Sequence, residues 1–158
     1  MSIAYLAQDG EHQQIEWLGG SVLQVLFDGA ATQGQLAMFR GRYSQGSASP
    51  LHAHANEDEM FVVLAGEAVF WVGDERHVVG AGGAIFLPRN VPHAYRLTSE
   101  RVDMLTLCTP AGAEGFFREA GRDLSQPRPE GWALTPDALA EAASHHGLTI
   151  LGPPPAEV

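Results

Sequence analysis

Apolar positions along the chain fall in short runs, many of them alternating with polar positions, and glycine or proline breaks most of the gaps between runs. Alternation with a period of two marks a strand with one buried face. The runs predict strands over residues 14–18, 22–27, 35–43, 60–64, 68–72, 77–79, 84–87, 93–97 and 102–108. Ala65-Gly66-Glu67 reads as a hairpin turn between two of them, and Gly73-Asp74-Glu75 as another. With 18 glycines and 10 prolines in 158 residues, the array points to an all-β sandwich or barrel.

After Thr109-Pro110 the pattern changes. Residues 111–120 are rich in helix formers, contain the Phe116/Phe117 pair and end at Gly121. A polar, proline-rich link over 125–131 follows. Thr135-Pro136-Asp137 then supplies an N-cap, a proline at the first helical position and an acid in the first turn, so a second helix is expected to run to about His146. Gly147 stops it, residues 148–151 offer an edge strand, and Pro153-Pro154-Pro155 cannot join a sheet. The length suits a single domain over 1–158, with a helical extension from about 111.

Composition narrows the chemistry. All nine basic residues are arginine, so a lysine Schiff base, a P-loop lysine and a lysine general base are excluded. A net charge of −10 and a pI near 5.0 repel phosphate backbones and anionic membranes, so neither nucleic acid nor a membrane is expected as a partner. The lone Cys108 forms no internal disulfide and no CxxC metal site, and it reads as a small buried hydrophobe. No basic leader with an apolar core and no membrane-length apolar stretch stands out, and the expectation is a soluble, cytoplasmic protein.

The histidines carry the remaining reactive potential. His52 and His54 are two apart, so in an extended strand both imidazoles project from one face and can converge on one point. An acidic cluster, Glu57-Asp58-Glu59, follows them, and His93 opens another predicted strand after the turn Pro88-Arg89-Asn90-Val91-Pro92. Three imidazoles with a carboxylate form a mixed nitrogen and oxygen set that suits a divalent transition metal (Fe, Mn, Ni, Co, Zn or Cu) and leaves positions open for substrate or dioxygen. His12 and His77 read as exposed strand or turn residues, and His145 and His146 as the C-terminal end of a helix.

Gly46-x5-His52-x-His54-x4-Glu59-x6-Gly66 resembles the first cupin motif, and Gly82-x5-Pro88-x-Asn90-x2-His93 resembles the second. Together they cover about residues 46–93. Asn90 stands where the motif usually has glycine, and Leu97 where an asparagine often follows the histidine. Asparagine is well able to replace glycine at a positive φ, so the turn is not threatened. The resemblance implies a cupin jelly roll, or double-stranded β-helix barrel, with the two short C-terminal helices packed outside. It makes His52, His54, Glu59 and His93 the ligands of one divalent metal. Glu59 is preferred because it alone leaves six residues between itself and Gly66. Glu57 and Asp58 are left as solvated turn acids.

Within the family, the ligand set, the Glu114-Gly-Phe-Phe-Arg-Glu helix and the Leu148-Thr-Ile-Leu-Gly-Pro-Pro-Pro ending resemble small bacterial quercetinase-like dioxygenases. That implies dioxygenation of a flavonol or similar enolisable aromatic compound, with Glu59 as both ligand and catalytic base. A non-oxidative isomerase or cyclase, and a metal-containing small-molecule-binding module without turnover, are the alternatives. Phe39, Tyr43, Phe61, Val63, Phe70, Phe86 and Tyr95 are candidates for the barrel lining, and Tyr43, Phe61 and Tyr95 for substrate contact. A few polar groups among apolar walls favour a small aromatic or hydrophobic substrate over a polyanion. The resemblance also implies a homodimer joined through sheet edges.

Overall fold

In the computed structural model, which describes residues 3–156, twelve strands and three helices were assigned. In chain order they are β1 (Gln13–Glu16), β2 (Val22–Phe27), α1 (Gly29–Thr32), β3 (Ala37–Ser44), β4 (Leu51–His54), β5 (Asp58–Ala65) and β6 (Glu67–Val72). They continue with β7 (Glu75–Gly80), β8 (Ala84–Leu87), β9 (His93–Leu97), β10 (Arg101–Thr109), α2 (Ala113–Ala120), β11 (Arg122–Asp123), α3 (Pro136–His145) and β12 (Leu148–Gly152).

The strands form two antiparallel sheets, β11-β1-β2-β3-β10-β5-β8 and β12-β4-β9-β6-β7. The period-two alternation read from the sequence is visible in their burial. Phe39 and Tyr43 of β3, Glu59, Phe61 and Val63 of β5, and Met104, Thr106 and Cys108 of β10 face inward, with their chain neighbours facing out. Phe39, Phe70, Val63, Leu97 and Met104 fill the space between the sheets. This is the jelly roll that the motifs imply. No helix among the described residues is long and apolar enough to cross a membrane.

Three local expectations need correction. Ala65-Gly66-Glu67 does not close a hairpin: β5 pairs with β10 and β8, β6 pairs with β9 and β7, and the turn carries the chain from one sheet to the other. Phe86 does not line the barrel. On β8 the neighbours Ile85 and Leu87 are the more buried residues, leaving Phe86 54% exposed. The helices also do more than pack outside. Phe116 and Phe117 of α2 meet Trp17 edge-on with ring centroids 5.4 and 4.8 Å away, Phe117 stands 4.8 Å from Phe39, and these rings wall the cavity described below.

The expected caps are present. Thr135 Oγ1 accepts from the amide of Ala138 at 3.1 Å, and Pro136 occupies the first turn of α3. One carboxylate, that of Glu119, joins α2 to the end of α3 through His145 (2.7 Å) and His146 (2.8 Å). The C-terminal strand is an edge strand as expected, and its partner is β4: Ile150 lies opposite His52 and Leu148 opposite His54. The C-terminal extension therefore holds the histidine strand in place.

Asn90 has φ +65°, which asparagine tolerates, as the motif comparison anticipates. Gly66 and Gly82 both sit at positive φ, +80° and +86°. A Cβ on Gly66 would run into the carbonyl oxygen of Arg101, whereas one on Gly82 would meet open space. Gly82→Ala is therefore expected to cost only the left-handed backbone term of about 1–2 kcal/mol. Gly66→Ala should cost clearly more, because the β10 backbone must also shift. Paired urea denaturation of the two variants checks this, and equal losses would refute the clash.

Candidate metal centre

β4 and β9 are neighbours, and their register sets His52 opposite His93. His54 follows on the same face of β4, and Glu59 enters from β5 in the facing sheet. The three imidazole centroids are 4.4, 5.0 and 5.2 Å apart. One ligand atom from each of the four side chains lies within 4.8 Å of all the others, and all four residues are buried.

Each imidazole is oriented from behind. The carbonyl of Pro50 accepts from His52 Nδ1 at 2.8 Å, the carbonyl of Val91 accepts from His93 Nδ1 at 3.0 Å, and the carboxylate of Glu57 lies 2.6 Å from His54 Nδ1. Carbonyls and ionised carboxylates only accept, so all three Nδ1 atoms carry protons and the Nε2 lone pairs are available to the centre. His93 Nε2 is 3.0 Å and His54 Nε2 3.3 Å from Glu59 Oε2. The buried His54 Nε2 makes no hydrogen bond of its own. Lone pairs gathered on a carboxylate require a proton or a cation among them, and this donor set fits a divalent metal.

The electrostatics agree. Burial, reinforced by the charge of His93, pushes His52 down to about 3 and keeps it neutral. Burial also opposes charge on His54, but the Glu59 carboxylate and the Glu57 hydrogen bond outweigh it and push His54 up to about 10. For Glu59, burial is likewise outweighed, here by His54 and His93, and its carboxyl stays well below the ordinary range. Without a metal, His54 supplies the proton that holds the cluster together. A divalent ion would have to displace it.

Beside these groups lies a cavity of about 40 Å³. His52, His54 and Glu59 open onto it, and His93 is outside the lining. Tyr43, Phe61 and Tyr95 line the same cavity, with Thr106 as a further hydroxyl and Trp17, Phe39, Phe116 and Phe117 as apolar walls. Among the described residues, no arginine lines it. Burial pushes both phenols upward, Tyr43 and Tyr95 alike, so they remain protonated hydrogen-bond donors. Cys108, at 4.0 Å from Glu59 Oε1, is raised well above a reactive thiol by burial and by that carboxylate.

Of the remaining acids, Asp58 pairs with Arg89 at the surface, as a turn acid should. Glu57 is not solvated: it is 2% exposed and bound to His54. The sequence signal for this is parity, since 57, 59, 61 and 63 all fall on the inward face as β5 begins.

Comparison with known proteins agrees with this architecture. The family model described as "Cupin domain" matches residues 39–110. The chain is 24% identical over 150 residues to quercetin 2,3-dioxygenase of Bacillus subtilis (strain 168), covering 93% of this chain and 44% of that protein. It spans about half the length of the curated relatives it matches, 44% and 50% for two of them. An RmlC-like cupin from Shewanella frigidimarina NCIMB 400 superposes with TM-score 0.59 at 24% identity, over 72% of this chain and 98% of that one. The nucleoside dehydratase Pac13 superposes with TM-score 0.57 at 18% identity, over 68% and 84%. At these identities the solved structures report the fold alone. Both motifs, the two-sheet barrel and the inward-facing His-His-Glu-His set point the same way: the chain has the cupin jelly-roll fold, and its residues 39–110 match a cupin domain.

Proposed function

We propose that this cupin is a metal-dependent dioxygenase of the quercetinase-like kind, with His52, His54, Glu59 and His93 as the ligands of one divalent metal. Its substrate is a flavonol or a similar small enolisable aromatic compound. One observation carries the reading: Glu59 belongs to the convergent ligand cluster and also faces the aromatic cavity. A metal held there would supply Lewis acidity toward a substrate oxygen and a route to dioxygen.

The chain's own residues perform the rest. Glu59 accepts the proton of a substrate hydroxyl placed beside it. Tyr43 and Tyr95, held protonated, donate hydrogen bonds to substrate oxygens. Phe61 and the Phe116/Phe117 pair present ring faces and edges to a flat substrate. The absence of arginine from the lining disfavours a dicarboxylate or a phosphate ester, which would need cationic partners. A cavity of about 40 Å³ has room for only a few water molecules, so an aromatic ring enters only if part of the wall moves outward.

Metal analysis of the purified protein, followed by a panel of flavonols and β-diketones monitored by absorbance and oxygen uptake, tests the reading. The expected result is substrate loss coupled to equimolar oxygen consumption and abolished by anaerobiosis. Turnover unaffected by oxygen removal would instead assign the site to isomerisation or cyclisation. Binding of the ligand unchanged, without turnover, would make the protein a sensing module.

A further inference from the structure

We infer that Glu57 is a positioning residue for the metal centre, acting through His54; the inference rests on the metal-centre reading above. The hydrogen bond from His54 Nδ1 to Glu57 Oε1 is 2.6 Å long, and both side chains are 3% exposed. His52 and His93 are oriented by backbone carbonyls that belong to their own turns. His54 alone is oriented by a charged side chain. Glu57 is neither a member of the convergent ligand set nor part of the cavity lining, so it touches neither the ion nor the substrate.

Its effect is twofold. An ionised carboxylate accepts only from a protonated Nδ1, so Glu57 fixes the tautomer that leaves Nε2 as the donor toward the centre. A charge-assisted bond in a buried setting also fixes the ring plane and strengthens the imidazole as a ligand. The stacked arrangement of His54 on His93, with an interplanar angle of 5°, is the geometry that this bond holds.

The test uses the full chain freed of metal and titrated with Co²⁺, read by the visible absorption of the bound ion and by competition with a chelator. Glu57→Ala is expected to weaken Co²⁺ binding about 10–100-fold and to shift the absorption bands, with one ion still bound per chain. Glu57→Gln keeps the shape and an accepting oxygen while losing the charge. It should fall between the wild type and Glu57→Ala, and it carries the test if the alanine variant does not fold. Unchanged affinity and spectrum in both variants would overturn the inference. So would a loss as complete as that of His93→Ala, which would make Glu57 a ligand in its own right. A wild-type chain that takes up no Co²⁺ would overturn the metal-centre reading together with this inference, whereas tight wild-type binding with unaffected variants would refute the Glu57 role alone.

Discussion

His93→Ala is expected to leave a folded protein that no longer retains stoichiometric metal and shows no turnover above background. The argument is geometric. His93 comes from the second motif, lies in register with His52 of β4, and has its Nε2 3.0 Å from Glu59 Oε2. Removing it leaves His52, His54 and Glu59, and no other nitrogen or oxygen ligand belongs to the convergent set among the described residues. Affinity for a divalent ion should drop by at least about 100-fold, beyond the range typical of losing an outer hydrogen-bond partner. The metal-free protein should lose about 1–3 kcal/mol as well, because the buried Glu59 carboxylate gives up one of its two imidazole neighbours. His77→Ala, on the exposed strand β7 and 42% accessible at its side chain, should change neither quantity. Metal content by elemental analysis and unfolding of the metal-free chain measure both effects. Full occupancy in His93→Ala would place the centre elsewhere.

What could be read from the sequence, and what could not, divides along the range of the interactions. The inward and outward parity of β3, β5 and β10 is local, and the sequence pattern shows it. The convergence of His52 with His54 follows from the same period of two. Asn90 at φ +65° and the Thr135 cap were also legible, because each depends on a residue's own backbone preference. At Gly66 the turn signal says where the chain bends, not which strands pair afterwards; Phe61 and Phe70 lie in different sheets. The outward face of Phe86 has no sequence signal, because Ala84-Ile-Phe-Leu is apolar throughout and offers no alternation from which to choose a face. The C-terminal helices are legible in their helix formers, the Thr135-Pro136 start and the glycine stops, but their docking over Trp17 and the cavity is a long-range contact with no local signature. Glu57 lies between these cases. Motif spacing selects Glu59 as the ligand and is silent about its neighbours, while strand parity, extended two residues back, places Glu57 on the same buried face.

Glu59→Gln should separate the two roles assigned to that side chain. Glutamine has nearly the same shape and keeps one oxygen able to meet a metal, but its amide does not take up a proton near neutral pH. If Glu59 served only as a ligand, turnover and metal binding would fall together by similar factors. As a general base facing the cavity, it should lose turnover by about 10²–10⁴-fold on top of a smaller loss of affinity. The electrostatics define the test conditions. With its carboxyl well below the ordinary range, Glu59 is ionised throughout neutral pH, and the base is present before substrate arrives. The amide also removes the charge that raises His54, so the variant's His54 should release its proton more readily, partly offsetting the lost ligand charge when a metal binds. Turnover must therefore be compared at saturating metal, with occupancy measured on the same sample. A substrate supplied already as its enolate should recover much of the lost rate, because proton removal is then no longer required. Failure of that rescue, with turnover and metal affinity reduced equally, would refute the base assignment and leave Glu59 a ligand alone.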